Sequence, residues 1–507
     1  MTFIHNIPVL LIFIPMLAAV ICLLPFRGEK AKWLTLGCFA LLTVLAALLV
    51  AGTLGGGSSF AYTMGRFPAP YGNELRVGPL EALMALMVST ISLLIIAAGS
   101  DDIFGDIPIR KTKSYFLLQN VLTASMMALL FANDFFTAYV FVELITISAV
   151  ALVASKPEGR TWAAALNYLF MGLVGSSILT FSLAMLYGIT GHLHFEYIHR
   201  SILELVATQT YMVPLSLASV LMVIGLAIKS ALFPFHNWLP EAHGSATTTA
   251  SAILSGLILK SYLLLLVKMV VRVFGLETMA SLAVPQILLA FGAAAIAYGS
   301  WKAMHQRGLK RALAYSSISQ VGYICIALGL NTEWGIAAAC FHIIIHAVAK
   351  AMLFSSAGAL KAASNHRQDI DSLEGAYWRD PVAGTAFIVG SLALIGIPPL
   401  SGFASKLNII LASLHTPYPI VAVVAIVLAG SIMGTMIYFP FIFSILRRDG
   451  IETEIRRGET GLSQRSLRSL TSRVALVVFM VLTVLLGLFS SPVIHALQQG
   501  LAVYGTR

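Results

Sequence analysis

Charged side chains are scarce in this chain of 507 residues: they make up 11% of it, while 58% of the residues are hydrophobic. A soluble globular chain carries about 25% charged residues. This shortage of charge excludes a soluble domain of any size between the apolar stretches. The composition therefore predicts an all-α polytopic membrane protein, because a helix satisfies its own backbone hydrogen bonds inside a bilayer.

Cysteine is also rare, and none of the four cysteines forms a CxxC pair; they are Cys22, Cys38, Cys325 and Cys340. All lie in apolar runs, where a free cysteine behaves as a small buried hydrophobic residue. The sequence also lacks iron–sulfur, haem-attachment and zinc spacings, a P-loop and a dinucleotide fingerprint. We therefore expect no cofactor and no metal on this chain, and any redox chemistry or nucleotide hydrolysis on another chain.

Long apolar runs are what the chain has instead. A membrane-spanning helix needs about 20 mostly apolar residues, and fourteen segments meet that rule. The first has no basic region before it and no clear cleavage site, so we expect a retained span and not a signal peptide. The predicted spans are residues 7–25, 33–52, 79–99, 115–133, 134–154, 162–188, 212–232, 246–272, 280–301, 309–330, 335–360, 382–411, 418–445 and 473–490.

The basic residues test this count, because lysine and arginine are enriched in the cytoplasmic loops of membrane proteins. If the N-terminus lies outside, twenty-two of them fall in inward loops and six in outward segments. The asymmetry predicts both termini outside and explains the net charge of +10 without nucleic-acid binding. The last inward loop, from Arg447 to Arg473, is basic, and we expect it to be solvated or to dock another subunit.

Proline interrupts two of the predicted spans. Pro234 and Pro240 follow Lys229 at the end of span 7, and span 12 contains Pro398 and Pro399. Proline removes a backbone donor and clashes with the preceding turn, and at membrane depth such a break persists only where protein covers it or a wet cavity adjoins it. The two spans run in opposite directions, which is typical of inverted repeats with sites near the midplane.

We therefore expect inverted repeats at spans 4–8 and 9–13 within a single membrane domain of residues 1–507. The N-terminal spans occupy residues 1–114. The first repeat covers 115–272 and the second covers 280–445, and the basic loop with the last span occupies 446–507.

Four lysines lie inside the apolar runs: Lys229, Lys260, Lys350 and Lys406. A cation at mid-bilayer costs roughly 2.5–3.5 kcal/mol on insertion scales, so it normally faces a protein interior or an ion route. Lysine can lose its proton when it is buried, whereas arginine practically cannot. Glu143, near the middle of span 5, is the expected partner of one lysine, and an ion pair that opens and closes is a proton switch. The alternative for Glu143 is a structural carboxyl group bonded to a neighbouring helix.

The segment HIIIHAVAK in span 11 places His342, His346 and Lys350 along one stripe of a helix. Histidine can pass protons at physiological pH, so this stripe predicts a proton relay. Two histidines at i and i+4 can also bind metal, but Ile343 stands where the zinc-peptidase motif has glutamate. The remaining alternative is a pair of satisfied core histidines.

Other polar residues near this axis have two interpretations. His236 and His243 flank the first break and could gate access to Lys229 or cap the break. Four residues of span 10 could hold water or simply pack helices together; they are Ser316, Ser317, Ser319 and Gln320. Three acidic residues lie near span ends, where we expect anchoring; they are Glu81, Asp134 and Glu158.

The motifs that carry these residues resemble those of a known family. KSALFPFHNWLPEAH, LKRALAYSSISQVGYI, HIIIHAVAKAMLF and GIPPLSGFASK occur in family-like order and spacing within residues 75–445. They are similar to the antiporter-like, proton-translocating subunits shared by respiratory complex I (NADH:quinone oxidoreductase), Mrp-type cation/proton antiporters and energy-converting membrane-bound hydrogenases. The resemblance implies fourteen spans, repeats at spans 4–8 and 9–13, and broken helices at spans 7 and 12.

The resemblance also implies roles and partners. The residues that match the proton path of the family are, in chain order, Glu143, Lys229, Lys260, His342, His346, Lys350 and Lys406. The implied partners are the lipid bilayer and other membrane subunits of a complex I-like, hydrogenase or Mrp assembly. The transported ion is the proton, with sodium as an alternative, and we expect a bacterial or archaeal cytoplasmic membrane.

Some features depart from the family pattern or distinguish its members. Gly308 stands where an acidic residue usually precedes the LKR of span 10, and SATTTASA replaces a segment that often carries prolines. The long C-terminal lateral helix of the largest members is missing. A lysine follows GIPPLSGF, unlike the complex I member with glutamate there, and SGLILKSYLLLLVKMVVRVFG favours hydrogenase-type or Mrp D-type subunits. The alternatives are a stand-alone secondary transporter and, less favoured, a quinone-binding electron-transfer subunit.

Overall fold

The computed structural model describes residues 2–56, 59–70, 72–414, 416, 418, 420–448 and 468–505. Most of the basic loop predicted between Arg447 and Arg473 therefore lies outside the described residues. Among those that are described, thirteen helices are long and apolar enough to cross a membrane. The twelfth predicted span is not one of them, because it consists of two shorter helices.

The helices follow the order of the predicted spans, and we number them accordingly. Spans 1 to 6 are Thr2–Ile21, Gly28–Gly56, Pro79–Asp106, Ile109–Phe131, Phe135–Val153 and Gly159–Thr190. Span 7 is Met212–Lys229 followed by Trp238–Ser245, and span 8 is Thr248–Phe274. Spans 9 to 11 are Val284–Met304, Leu309–Gly329 and Glu333–Ala363. Span 12 is Pro381–Ile395 followed by Ser401–Ser413, and spans 13 and 14 are Ile420–Leu446 and Leu470–Leu488.

Shorter elements connect the spans. Strands β1 (Phe60–Thr63) and β2 (Glu74–Val77) form an antiparallel hairpin in which Phe60 pairs with Val77. The hairpin makes the protein mostly helical and not strictly all-α. Besides the spans, the short helical elements are Met64–Arg66, Phe195–Ala207, Leu276–Ser281, Ile370–Leu373, Ala376–Arg379 and Ser490–Gly505.

The hairpin is joined to the helices by Glu74. Its carboxylate accepts a hydrogen bond of 2.8 Å from the side-chain amide of Asn133, and His194 Nε2 lies 3.8 Å from it. Interaction with His194, together with Asn133, lowers the pKa of the Glu74 carboxyl group below its usual value. The hairpin is therefore fixed to the loops that flank spans 4 and 7. We call this end of the bundle the outer end, and the opposite one the inner end, after the sides that the loop charges predict.

Helix capping explains several span boundaries. Asp134 accepts a 2.7 Å hydrogen bond from the backbone of Thr137 and so starts span 5 directly after span 4. Glu81 accepts one of 3.0 Å from the backbone of Gly78 at the start of span 3. Glu158, at the start of span 6, lies 2.6 Å from Lys156. Asp134 and Glu81 thus bond to the first turns of their helices, whereas the Glu158 side chain makes no capping hydrogen bond.

The two proline-containing segments interrupt their helices as expected. The first half of span 7 ends at Lys229 and the second begins at Trp238, and Pro234 lies between them. The Trp238 indole donates a 3.1 Å hydrogen bond to the carbonyl of Ile228, one of the acceptors that the helix end leaves open. Span 12 is interrupted between Ile395 and Ser401.

Spans 8 and 11 form the centre of the bundle. Their apolar windows are wholly buried, whereas those of spans 6, 13 and 14 are 33%, 28% and 28% buried. Span 8 is irregular, with π-helical turns at Leu254–Ile258 and Met269–Phe274. Ionisable groups on spans 8 and 11 are therefore enclosed by protein and not by lipid.

Candidate functional site: a row of buried lysines

Glu143 and Lys229 form an ion pair. Lys229 Nζ lies 3.2 Å from Glu143 Oε1, and it also donates a 2.8 Å hydrogen bond to Thr146 Oγ1. The hydroxyl of Ser176 on span 6 donates a second hydrogen bond to the same carboxylate oxygen. The lysine side chain is 1% exposed and the glutamate side chain 22%. The carboxylate therefore joins the buried lysine to the membrane-facing side of span 5.

Small residues allow spans 6 and 7 to bring this pair together. A methyl group on Gly225 would lie 3.0 Å from the carbonyl oxygen of Gly175, so the two helices touch through their backbones. A methyl group on Gly172 would lie 2.9 Å from Thr146. Close approach at such glycines is common between membrane helices. It places the end of span 7 within reach of span 5.

Tyr262 connects the ion pair with span 8. Its hydroxyl lies 3.0 Å from Thr146 Oγ1, and Lys229 Nζ lies 5.9 Å from the centre of its ring. Tyr262 is fully buried. Because Lys260 precedes it by two residues, one short stretch of span 8 carries both the link to the ion pair and the central lysine.

Lys260 is fully buried and donates a hydrogen bond to the carbonyl of Ser255. Ser255 lies in the π-helical turn Leu254–Ile258, and such turns leave carbonyl groups that the regular ladder would use. A methyl group on Gly256 in this turn would lie 3.2 Å from the Ala351 side chain of span 11. The irregular turn thus supplies an acceptor for the ammonium group and packs span 8 onto span 11.

Serines of span 10 link Lys260 with Lys350. Ser255, whose carbonyl accepts from Lys260, also has its hydroxyl 2.9 Å from that of Ser317, and this contact joins it to span 10. One residue earlier, Ser316 Oγ accepts a 2.5 Å hydrogen bond from Lys350, which also donates to the carbonyl of Leu313. Both serines therefore bond to groups on the polar axis; Ser319 instead bonds to Ser300.

The two histidines of span 11 are buried in line with Lys350. Their ring centres are 6.1 Å apart, and His342 Nδ1 lies 2.8 Å from Ser405 Oγ. Neither ring nitrogen of His346 has a hydrogen-bond partner among the described residues. The stripe is thus an alignment of polar groups and not a continuous hydrogen-bonded chain. Buried polar atoms of this kind normally find their partners in water.

Lys406 lies at the break of span 12. Its ammonium group donates hydrogen bonds of 2.9 Å to the carbonyls of Leu394 and Ile395 and to Ser431 Oγ. These carbonyls end the first half of span 12, where the helix dipole favours a cation. The aromatic ring of Tyr323 lies 4.9 Å from Lys406 Nζ and 5.6 Å from the His342 ring, so it bridges the two.

Two further buried lysines were not predicted, because they lie near the ends of their predicted spans and were counted with the charges of the adjoining loops. Lys268 bonds to the carbonyls of Leu130 and Ala132 at the outer end, and Lys310 bonds to the carbonyl of Ala246 at the inner end. Both side chains are buried. The count of four buried lysines is therefore wrong, because cations near span ends can turn inward toward helix-terminal carbonyls.

The seven predicted path residues thus fall into a linked arrangement. Of the six buried lysines, Lys229 has a carboxylate in an ion pair among the described residues, and the other five donate to backbone carbonyls. Six hydroxyl-bearing residues that were not predicted in the row lie beside these ionisable groups; they are Thr146, Ser176, Ser255, Tyr262, Tyr323 and Ser431. Such a row can hold and pass protons, since lysine accepts and releases them.

Known proteins with similar sequences and folds place the chain in a family. Residues 132–434 match the family described as NADH:quinone oxidoreductase/Mrp antiporter, TM. The chain is 30% identical to NADH-quinone oxidoreductase subunit N of Desulforudis audaxviator, covering 97% of this chain and 98% of that one. It is 26% identical to a Na(+)/H(+) antiporter subunit of Alkalihalophilus pseudofirmus, covering 83% of each.

A solved structure agrees in fold over nearly the whole length. A chain of the archaeal membrane-bound sulfane sulfur reductase, a respiratory membrane complex, superposes with a TM-score of 0.86 and 25% identity, covering 98% of both chains. The family resemblance drawn from the four motifs is therefore confirmed. The protein is an integral membrane protein, and it belongs to the antiporter-like subunit family of NADH:quinone oxidoreductases and Mrp antiporters.

Proposed function

We propose that this chain moves protons across the membrane as the antiporter-like subunit of a multi-subunit assembly. The observation that carries the proposal is the Glu143–Lys229 ion pair, with its atoms 3.2 Å apart, at one end of a row of buried lysines. Buried ionisable residues inside a membrane protein mark ion paths by default. Carbonyl acceptors tolerate both the charged and the neutral amine, so each lysine can change its protonation state without a change of fold.

The residues have distinct roles in this proposal. Opening and closing of the Glu143–Lys229 pair changes the proton affinity of both groups and acts as the switch. Lys260 is the central relay, which the Thr146–Tyr262 contact connects with the switch. The His342–His346–Lys350 stripe and Lys406 form the second half of the path. Both termini lie outside, and spans 4–8 and 9–13 are inverted repeats with one broken helix each.

The exposure of Glu143 supports a neighbouring membrane subunit at this face. Its side chain is 22% exposed in the middle of span 5, where lipid would offer it no hydrogen bond. Large apolar residues surround it on the same face of spans 5 and 6; they are Phe136, Val140, Leu144, Ile147, Phe170 and Val174. A partner helix with a polar group opposite Glu143 fits this face.

We favour a hydrogenase-type or Mrp D-type assembly over complex I proper, on the sequence around Lys260 and on the lysine at position 406. The similarity to subunit N of NADH-quinone oxidoreductase keeps a complex I role as the alternative within the same family. Redox centres, where the assembly has them, are expected on other subunits.

Reconstitution separates this function from that of a stand-alone secondary transporter. The complex isolated through a tag on this chain is expected to acidify or alkalinise the lumen of proteoliposomes when its driving reaction or ion gradient is supplied. The isolated chain is expected to be inactive, because its Glu143 face then lacks its partner. A pH-sensitive dye inside the liposomes reports the flux, and ionophore-treated liposomes are the control. Proton-coupled solute uptake by the isolated chain would contradict the proposal.

A further inference from the structure

A second group of charged residues lies away from the lysine row, at the inner end of the bundle. A cavity of about 250 Å³ is present there, where spans 3, 8, 11 and 14 meet. Its charged lining residues are Asp101, Asp102, Asp106, Lys361, His366 and Arg468. Ionisable groups of both kinds, acidic and basic, surround a cavity that is large enough for several water molecules. Such a lining favours water over lipid in the cavity.

Asp102 is the residue of this cavity that faces inward. Its Oδ1 accepts a 2.7 Å hydrogen bond from Arg468, whereas its buried Oδ2 has no hydrogen-bond partner among the described residues. Arg468 is itself only 4% exposed at the side chain, and its Nε also has no partner in the described part of the chain. Asp102 Oδ2 and Arg468 Nε can therefore still bond to water, and Oδ2 can also take up a proton.

The free oxygen of Asp102 reaches the centre of the bundle. A methyl group on Gly358 of span 11 would lie 2.5 Å from Asp102 Oδ2 and 2.6 Å from the Thr248 side chain at the start of span 8. Glycine at position 358 thus leaves space for the carboxylate between the two central helices. The neighbouring Asp101 has its Oδ2 occupied, because Ser469 at the start of span 14 donates two hydrogen bonds to it.

Two further buried ionisable groups belong to the same inner end of the bundle: Lys310 at the start of span 10 and His243 in the second half of span 7. Lys310 donates a 2.9 Å hydrogen bond to the carbonyl of Ala246 and interacts electrostatically with Asp102 and Asp106. His243 stacks on Phe354 of span 11 at 4.6 Å and interacts electrostatically with Lys310, Lys350 and Lys260. Both nitrogens of His243 lack hydrogen-bond partners among the described residues.

We propose that this cavity is the proton-uptake site of the inner end, in which Asp102 accepts protons from water and Lys310 and His243 pass them to Lys260 and Lys350. The inference rests on the proposed function. Each transfer breaks one O–H or N–H bond and forms another, so a single proton moves and no oxidant or reductant takes part. Arg468 positions the carboxylate and anchors span 14, and it takes no part in the proton transfer.

The reconstituted complex tests this site with two substitutions. Asp102→Asn keeps the hydrogen bond from Arg468 but removes the proton acceptor, and we expect about a tenfold or greater loss of proton flux at normal assembly. Arg468→Gln breaks the same ion pair but leaves the carboxylate, and we expect most of the flux to remain. Glu204→Gln, an exposed carboxylate on the short helix Phe195–Ala207 and outside the cavity, is the control and should transport like the unmodified complex.

Equal losses in Asp102→Asn and Arg468→Gln would overturn the proposal, because they would assign the pair a structural role alone. Normal flux in Asp102→Asn, together with a loss in Glu143→Gln, would contradict the uptake site and spare the proposed function. An unmodified complex that moves no protons would contradict both.

A labelling experiment tests the same site even where Asp102→Asn fails to assemble. A methyl group at Gly105, which lines the cavity, would have no neighbour within 4 Å, so Gly105→Cys should fold normally. The four native cysteines are buried. A cationic thiol reagent added from the inner side is expected to reduce the flux of Gly105→Cys and not that of Gly159→Cys, which is exposed and equally unhindered at the inner end of span 6. Undiminished flux in fully labelled Gly105→Cys would overturn the proposal.

Discussion

Replacing Glu143 by glutamine is expected to leave the complex assembled and to lower its proton flux by roughly 10²-fold or more, the scale at which a lost proton-transfer group acts. Glutamine keeps the shape of the side chain and can still accept hydrogen bonds from Ser176 and Lys229. It cannot take up or release a proton. Lys229 would lose its counter-ion, but lysine can become neutral when it is buried, so the fold should tolerate the change. Dye-reported flux in proteoliposomes measures the effect.

A matched control for this variant is Glu204→Gln. Glu204 is exposed on the short helix Phe195–Ala207, and the substitution makes the same chemical change outside the lysine row. It should assemble and transport like the unmodified protein. Normal flux in Glu143→Gln, at a normal content of partner subunits, would show that the carboxyl group is structural and would refute the switch.

Replacing Lys260 by methionine is expected to abolish transport with little loss of stability. Methionine fills much of the volume of the lysine stem and adapts to irregular cavities. The change leaves the carbonyl of Ser255 without its donor, a cost of about 1–3 kcal/mol, but it also removes a cation from a fully buried position. The proton then has no acceptor between the switch and Lys350. In this variant the flux per assembled complex should therefore fall strongly, whereas the thermal unfolding temperature should change little.

Lys268→Met is the appropriate comparison, because Lys268 is also buried on span 8 and also donates to backbone carbonyls. It lies at the outer end beside span 4, outside the proposed path. Its removal should destabilise the complex at least as much as Lys260→Met while preserving the flux. Equal loss of flux in both variants at equal assembly would mean that buried lysines serve the fold and not transport.

The architecture could be predicted from the sequence where single residue types decide it. Apolar runs of sufficient length located the helices, and prolines located the breaks after Lys229 and before Ser401. The buried ionisable residues were also recognisable, since a charge inside an apolar run is costly and normally faces an ion route or a buried partner. Helix bounds shifted by a few residues, because capping groups such as Asp134 fix them more finely than hydropathy does.

The groups between the lysines could not be predicted. Thr146, Tyr262 and Ser431 are neutral residues that occur throughout membrane helices. Only helix packing brings the hydroxyls of Thr146 and Ser431 to a lysine and that of Tyr262 to Thr146. Lys310 was missed because it begins a span and appears in sequence to belong to a loop. The β1–β2 hairpin is too short for its alternation to stand out.

The central claim is that one proton path runs in series through both halves of the chain. Two mild substitutions test it most directly: Thr146→Val, which removes a hydroxyl bonded to Lys229, and Ser431→Ala, which removes one bonded to Lys406. Neither removes an ionisable group, so each should leave a measurable part of the flux. Fluxes through two independent paths add, so independent halves would make the two single losses add in a double variant.

The decisive measurement is the proton flux of the Thr146→Val/Ser431→Ala double variant beside both single variants, in complexes of equal subunit content. A path in series predicts that the double variant transports at about the rate of the slower single variant, because one slow step limits every proton. A flux lowered by the sum of the two single losses would mean that the two halves act as independent paths and would contradict a single path from Glu143 to Lys406.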